Sequence, residues 1–267
     1  MKWIIGVALI VLAFVGGALA ERSGQLDWPA TASASKVPAA KVPASIASAA
    51  QRTVHYRAVL AAGDASIPNF DNAVTTFSGR LHQLGIEAKL LTSDPKKITD
   101  WRGWATANRI DVLFNQIDFQ PDDGCLVFVT SHGSVYGLAM AADLWEWKTL
   151  TPARLGGILT RHCGDRPTVA ILSGCHSGTF LRPEMEAENR IILTAARYDR
   201  TSFGCSADTL YTYFDECLLD AMSGLGTWRA IFARTKACVS LKERGRKFTP
   251  SLPQAYFGEG VRDLAIE

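Results

Sequence analysis

The feature that most constrains the fold is a series of short apolar runs separated by segments with helical periodicity. Each run is four to six residues long and rich in Val, Ile, Leu and Ala. Strands of this kind, alternating with helices, predict an α/β fold with a mostly parallel sheet covered on both faces. The predicted strands are residues 57–62, 88–91, 125–130, 168–172 and 190–194.

The segments between these strands carry helix signals. Apolar residues recur at helical spacing from Asn72 to Leu84, and Gly85 follows where a helix typically ends. Thr151-Pro152 is a typical helix start, with Thr as the N-cap and Pro in the first turn. Ligands of parallel sheets bind beyond the carboxyl ends of the strands, so the loops there are the candidates for function. Further helices are predicted within 106–117, over 210–222 and over 228–244.

The N-terminal part of the chain has a different character. A positive start at Met1-Lys2 leads into an apolar run, which ends in small residues suited to signal peptidase at 18–20. This pattern predicts a signal peptide over residues 1–20 and export to the periplasm or the extracellular space. The alternative is an uncleaved anchor over residues 3–20, the only case in which membrane contact is expected. Residues 21–50, rich in Ala, Pro, Ser and Lys, predict a flexible spacer before a folded domain over 51–267.

Charge and cysteine content exclude several classes of function. The 28 basic and 26 acidic residues are scattered and give a net charge of +2, so no nucleic-acid partner is expected. The six cysteines form no C-x-x-C pair, so a structural zinc site is not expected, and the thiol chemistry predicted below requires no metal or organic cofactor. In an exported protein some cysteines would form disulfides, but their connectivity stays open. If one cysteine is a free nucleophile, at least one more lacks an intramolecular partner.

Two loops carry residues suited to nucleophilic chemistry. The run at 125–130 leads into Ser131-His132-Gly133, and the run at 168–172 leads into Ser173-Gly174-Cys175. One predicted helix separates the two runs, so a single crossover would set their strands side by side. A thiol becomes a strong nucleophile beside an imidazole, which predicts Cys175 as nucleophile and His132 as base. The backbone N–H groups of Gly133 and Cys175 are the predicted oxyanion donors.

These motifs resemble those of a known family. V-T-S-H-G-S (129–134), I-L-S-G-C-H-S-G (171–178) and T-A-A-R-Y-D-R-T-S-F-G-C (194–205) resemble the legumain-like cysteine peptidases, especially bacterial secreted members. That family includes asparaginyl endopeptidase and the catalytic subunit of the glycosylphosphatidylinositol transamidase. The C-H-S-G motif is also similar to metacaspases, but the 194–205 segment and the export signal favour the legumain group.

The resemblance has consequences for fold and site. It implies a caspase-like three-layer α/β/α sandwich with a mostly parallel central sheet, a His132–Cys175 dyad and protein or peptide substrates. The segment G-D-A-S-I-P-N-F-D-N-A (63–73) lies where the family places residues near the active site. By the same resemblance, Asn69 helps to orient His132.

The chain departs from the legumain pattern at two positions. Legumains have an Arg two residues after the matching Asn, where this chain has Asp71, and the residue after the catalytic Cys is commonly acidic, where this chain has His176. A carboxylate in the pocket would disfavour acidic P1 side chains and favour Lys or Arg. The alternative is that Asp71 caps the helix near Asn72, so specificity for Asn is not assumed. The other predicted pocket residues are Asp208, Thr201 and Ser202.

The sequence therefore predicts an exported cysteine endopeptidase that acts through a thioester acyl-enzyme. Two other functions stay open. The same dyad could serve a transpeptidase or transamidase, in which an amine takes the acyl group instead of water. The chain could also be an inactive binding protein of the same fold, although the intact His132, Gly133 and Cys175 argue against that.

Overall fold

The computed structural model describes residues 54–99, 102–141, 148–206 and 208–266. The predicted signal peptide and spacer lie outside these residues. Within the described ranges, no helix combines the length and the apolar character needed to cross a membrane.

The centre of the fold is a seven-stranded sheet in which six strands are parallel and one edge strand is antiparallel. Its strand order is β11-β9-β8-β4-β1-β2-β3, and two small antiparallel sheets, β5-β6-β7 and β10-β12, lie outside it. The strands are β1 (His55–Ala62), β2 (Ala88–Thr92), β3 (Arg102–Trp104), β4 (Asp123–Thr130), β5 (Gly133–Ser134), β6 (Gly137–Ala139), β7 (Thr149–Leu150), β8 (Thr168–Ser173), β9 (Arg190–Thr194), β10 (Gly226–Thr227), β11 (Gln254–Phe257) and β12 (Ala265–Ile266).

Helices cover both faces of this sheet and make a three-layer sandwich. On one face α1, α4 and α5 pack against the sheet around Phe77, Leu218 and Ile231, and on the other face α2 and α3 pack around Ile110 and Leu159. The expected α/β sandwich with a mostly parallel sheet is confirmed. The helices are α1 (Asn69–Gln83), α2 (Ala107–Asn115), α3 (Pro152–Cys163), α4 (Tyr213–Met222) and α5 (Trp228–Glu243).

The two hydrophobic cores divide the side chains of each strand between them. Along β4, Leu126 and Phe128 join the core beneath α1, α4 and α5, whereas Val127 and Val129 join the core beneath α2 and α3. Thr130 continues the first of these series, so its side chain faces α4. This alternation places polar groups at the end of a strand in contact with a particular helix layer.

Each helix layer also carries a disulfide bond. Cys125 of β4 is bonded to Cys163 at the end of α3, and Cys217 of α4 is bonded to Cys238 of α5. Cys175 and Cys205 are free. The expectation that a free nucleophilic cysteine would leave at least one other cysteine without an intramolecular partner agrees with this pairing.

Candidate active site

The candidate active site lies at the carboxyl ends of β4 and β8, which are parallel neighbours. Their last residues, Thr130 and Ser173, are register partners, and the Ser131 N–H extends the ladder by donating to the Ser173 carbonyl at 3.0 Å. His132 and Cys175 each follow two residues after these partners. The topology therefore brings the two predicted dyad residues to equivalent positions on adjacent loops.

The backbones of the two loops are in close contact. A Cβ atom added to Gly133 would lie 2.0 Å from the carbonyl oxygen of Cys175, and one added to Gly174 would lie 2.6 Å from the carbonyl oxygen of Ser131. Real Cβ atoms do not approach so closely, so neither position has room for a side chain. These two glycines let the histidine loop and the cysteine loop pack directly on each other.

One residue of the β1–α1 connection and one residue of the first turn of α1 hold His132. Its Nε2 lies 3.2 Å from Oγ of Ser66, and its ring packs edge-on against Phe70 with the ring centroids 5.2 Å apart. The Ser66 N–H donates in turn to Oδ1 of Asp64 at 2.7 Å, which fixes the turn that presents the hydroxyl. The sequence identified this segment as lying near the site but not Ser66 itself, because its contact depends on how the loop folds over β4.

The thiol of Cys175 is held by the backbone of the segment after β9. The Ser202 N–H donates to Sγ at 3.3 Å, and the Ser202 carbonyl oxygen lies 3.6 Å from the same sulfur. Ser202, which was predicted to line the pocket, is buried and contacts the site through its main chain. The neighbouring Thr201 is exposed, and so is Asp208 further along the segment.

His176 has a strained backbone and a fixed ring. Its φ angle of 58° lies in the left-handed region, which is uncommon for a residue with a side chain. Its N–H donates to the Arg200 carbonyl at 2.7 Å, and its Nδ1 lies 2.9 Å from the Tyr198 carbonyl, so Nδ1 carries the proton. These contacts tie the turn after Cys175 to the segment after β9.

Asn69 is buried and braces the loop that follows the Ser202 segment. Its Nδ2 donates to the Gly204 carbonyl at 3.2 Å and to the carbonyl and hydroxyl oxygens of Thr209 at 2.7 and 2.8 Å. The ring contact to His132 comes from the next residue, Phe70. Asn69 thus connects the first turn of α1 to the wall of the site.

Asp71 has partners inside the protein that the sequence did not foresee. Its carboxylate is 3.1 Å from Nη1 of Arg102 and 3.4 Å from Nζ of Lys97, and it accepts a hydrogen bond from Thr92. The helix begins at Asn69, so Asp71 lies within the first turn and is not the residue before it. The sequence suggested either a pocket acid or a helix cap at Asp71, and neither interpretation included this buried ion pair.

The second free cysteine lies in the neighbourhood of the site. Burial, together with smaller contributions from the charges of Cys175 and Asp215, raises the pKa of the Cys205 thiol to about 12. At neutral pH this thiol is therefore protonated and a poor nucleophile. In the part of the chain that the structure describes, no three His, Cys, Asp or Glu side chains converge in a way that could hold a metal ion.

Comparison with known proteins identifies the family and the fold of the chain. The model of the Peptidase C13 family matches residues 107–252, a span that contains His132, Cys175 and Ser202. No curated protein sequence matches the chain significantly. The solved structure of caspase-1 from Spodoptera frugiperda matches with a TM-score of 0.57 and 15% sequence identity, covering 78% of this chain and 88% of that chain, which shows a shared fold. The chain therefore belongs to the peptidase C13 family, the legumain family of cysteine peptidases, and has a caspase-like fold.

Proposed function

We propose that this chain is an exported cysteine endopeptidase in which Cys175 and His132 form the catalytic dyad. The observation that carries the proposal is the register of β4 and β8, which sets both residues two positions beyond paired strand ends. Gly133 and Gly174 allow the two loops to touch. Membership of the peptidase C13 family makes peptide bonds the substrate class.

The proposed reaction has two stages. The sulfur of Cys175 bonds to the scissile carbonyl carbon, and the thiol proton passes to His132. The tetrahedral oxyanion then collapses, the C–N bond breaks, and His132 returns the proton to the departing amine to leave a thioester. Water deprotonated by His132 attacks the thioester, releases the acid and restores the thiol.

The environment of each group supports its role. Ser66 lies at Nε2 of His132, which leaves Nδ1 as the nitrogen for proton transfer. The main chain of Ser202 holds the Cys175 sulfur at one side of the loop contact. The N–H groups of Gly133 and Cys175, on backbones packed against each other, are the proposed donors to the oxyanion.

A peptide acyloxymethyl-ketone probe tests the dyad. We expect the wild type to be labelled on Cys175 under mild reduction and to cleave a mixed peptide library, and Cys175→Ala and His132→Ala to do neither. Cys205→Ala is the matched control, since it removes the other free thiol and should keep both properties. Equal labelling of Cys175→Ala, or an unlabelled wild type, would contradict the proposal. A parallel reaction with an added amine, read by mass spectrometry, separates hydrolysis from transamidation.

The proposal of export rests on a different observation. Four of the six cysteines form two disulfide bonds, and such bonds persist mainly in oxidising compartments. N-terminal sequencing of the mature protein from its natural host should begin at Glu21, and its non-reduced mass should correspond to two disulfides. A mature chain that still begins at Met1 would contradict cleavage of the signal peptide.

A further inference from the structure

A buried carboxyl group lies directly beneath the candidate site. Asp215 belongs to the first turn of α4, and its side chain is only 1% exposed. Its Oδ2 accepts a hydrogen bond from the Thr130 hydroxyl at 2.7 Å. The Ser173 hydroxyl is buried, makes no hydrogen bond with the described residues, and lies near enough to lower the pKa of the same carboxyl. One carboxyl group is therefore hydrogen-bonded to the last residue of β4 and lies near the last residue of β8.

These two contacts are informative because of where Thr130 and Ser173 lie. They are register partners at the ends of adjacent strands, and each is followed two residues later by a member of the proposed dyad. A group that is bound to one of these side chains and lies next to the other restrains the direction in which the two strands leave the sheet. Small displacements there would change the distance between His132 and Cys175, to which catalytic rates are sensitive.

The start of α4 is also attached to the third element of the site. The Tyr213 N–H donates to the Phe203 carbonyl at 2.9 Å, next to Ser202, whose main chain contacts the Cys175 sulfur. Thr212 caps the helix by accepting from the Asp215 N–H at 3.1 Å. Asp215 thus lies where the ends of β4 and β8 and the Ser202 segment converge.

The surroundings of Asp215 are unusual for a group that serves stability alone. Burial raises the pKa of this carboxyl, an effect that the nearby hydroxyl groups of Ser173, Thr130 and Thr212 only partly offset. Within the described residues, no cation forms an ion pair with it. A buried acid without a cation costs free energy, so its presence beside the site calls for a role other than charge pairing.

We propose that Asp215 is a positioning residue that holds the end of β4 through Thr130, beside its register partner Ser173 at the end of β8, and thereby sets the geometry of His132 and Cys175. The inference rests on the proposed function of that dyad. Asp215 acts through the two strands and does not touch the substrate.

The test compares turnover per active site in Asp215→Ala, Asp215→Asn and Thr130→Val. We expect Asp215→Ala to lower kcat by about 30-fold or more with KM changed by less than about threefold, because alignment and not binding is lost. Asparagine keeps an oxygen that accepts from Thr130, so Asp215→Asn should recover kcat to within about threefold of the wild type. The rate of Cys175 alkylation by iodoacetamide should follow the same order.

Asp123→Ala is the matched control, because Asp123 is a buried carboxylate at the amino end of β4, and Thr130 lies at the carboxyl end of that strand. It should lower the melting temperature and leave kcat per titrated site unchanged. Wild-type kcat in Asp215→Ala, or an equal loss of kcat in Asp123→Ala, would overturn the proposal. If Asp215→Ala does not fold, Thr130→Val decides, with a loss of about tenfold in kcat expected and wild-type kcat contradictory. If the wild type cleaves no peptide, the proposed function fails, and the alkylation rates still decide the role of Asp215.

Discussion

A buried carboxyl group lies at each end of the central sheet, and the two groups have opposite kinds of partner and opposite pKa shifts. At the amino end, Asp123 is bound by Nε of Arg57 at 3.0 Å and by the Gln120 N–H at 2.8 Å. Burial alone would raise the pKa of Asp123, but these two partners outweigh it and hold the pKa below its usual value. At the carboxyl end, Asp215 meets hydroxyl groups, and burial raises its pKa.

This difference in surroundings suggests that the carboxyl at the amino end serves stability, whereas the one at the carboxyl end serves the proposed function. The amino end satisfies its charge with an opposite charge, as a purely structural site would. The carboxyl end instead places a histidine and a free thiol two residues beyond the strand ends, and beneath them a carboxyl of α4 that forms no ion pair within the described residues. Groups that cost folding free energy in this way are concentrated at sites where proteins perform chemistry.

The largest expected difference between the two ends concerns histidine. His132 and His55 are both exposed, the first beyond the end of β4 and the second at the start of β1. His132→Ala should lower kcat/KM by at least about 1,000-fold because it removes the proposed base, and His55→Ala should leave kcat/KM within about twofold. Steady-state peptide hydrolysis measures both. A comparable loss in His55→Ala would remove the functional contrast between the ends.

The next difference separates two thiols at the carboxyl end. Because the pKa of Cys205 is raised to about 12, we expect Cys175 to be alkylated at least about 100-fold faster at pH 7.5. Timed iodoacetamide labelling followed by peptide mass spectrometry gives both rates in one sample. Cys205 reacting at the same rate as Cys175 would show that burial does not suppress its thiolate.

A third prediction asks whether every acid near the carboxyl end belongs to the site. Asp71→Asn breaks the buried pair with Arg102, so the free energy of unfolding should fall by roughly 3 kcal/mol. We expect the P1 preference in a positional-scanning peptide library to stay unchanged, since the carboxylate is already paired. Loss of cleavage after Lys or Arg in this variant would instead restore Asp71 as a pocket residue.

The smallest expected effect is on the pH dependence of stability, to which Asp123 and Asp215 contribute with opposite signs. The depressed pKa of Asp123 stabilises the fold above the unfolded-state pKa of about 3.9, and that contribution is lost as pH falls through the folded pKa. Asp123→Asn should therefore cost about 1–2 kcal/mol at pH 7 and less at acidic pH. The raised pKa of Asp215 penalises the wild type as pH rises above about 3.9, so Asp215→Asn should gain in relative stability with pH.

Urea unfolding of the wild type and both variants between pH 2 and pH 8 measures these slopes, since the Asp123 contribution is lost below about pH 3.9 and the Asp215 penalty grows above it. The charged partners of Asp123 are Arg57 and His55, whereas the Cys205 thiol near Asp215 is uncharged over this range. Slopes of the same sign in both variants would show that the two carboxyls do not differ as described.

The sequence predicted the elements that are buried on both sides. The strands predicted at 125–130, 168–172 and 190–194 agree with β4, β8 and β9 to within two residues, because buried parallel strands are continuous apolar runs. The antiparallel edge strand β11 was missed. All four of its residues are half-buried, so Gln254–Phe257 has no such run.

The predicted helices were right in position but less accurate at their starts. The first was expected from Asn72 but begins at Asn69. Its N-cap residue, Pro68, makes no side-chain capping hydrogen bond, so the sequence has no capping signal at this start. The helix expected from Leu210 begins at Tyr213, where Thr212 accepts the capping hydrogen bond. Such starts depend on local geometry that periodicity does not report.

Prediction of the site from sequence was limited in the same way, because sequence patterns do not report contacts between distant segments. His132 and Cys175 were predicted as site residues because their types and flanking glycines have a chemical meaning in sequence. Ser66 and Asp215 were not, because each acts through a contact between segments far apart in the chain. An aspartate inside a predicted helix resembles a solvated surface residue until the layers are assembled.

The disulfide between Cys125 and Cys163 has a consequence for how activity should respond to reducing agents. This bond closes a covalent ring that contains His132, whereas Cys175 lies outside the rings of both disulfides. Mild thiol treatment would free an oxidised nucleophile and raise activity. Stronger treatment that opens the buried 125–163 ring would release the segment carrying the base, so activity should pass through a maximum as the reductant concentration rises.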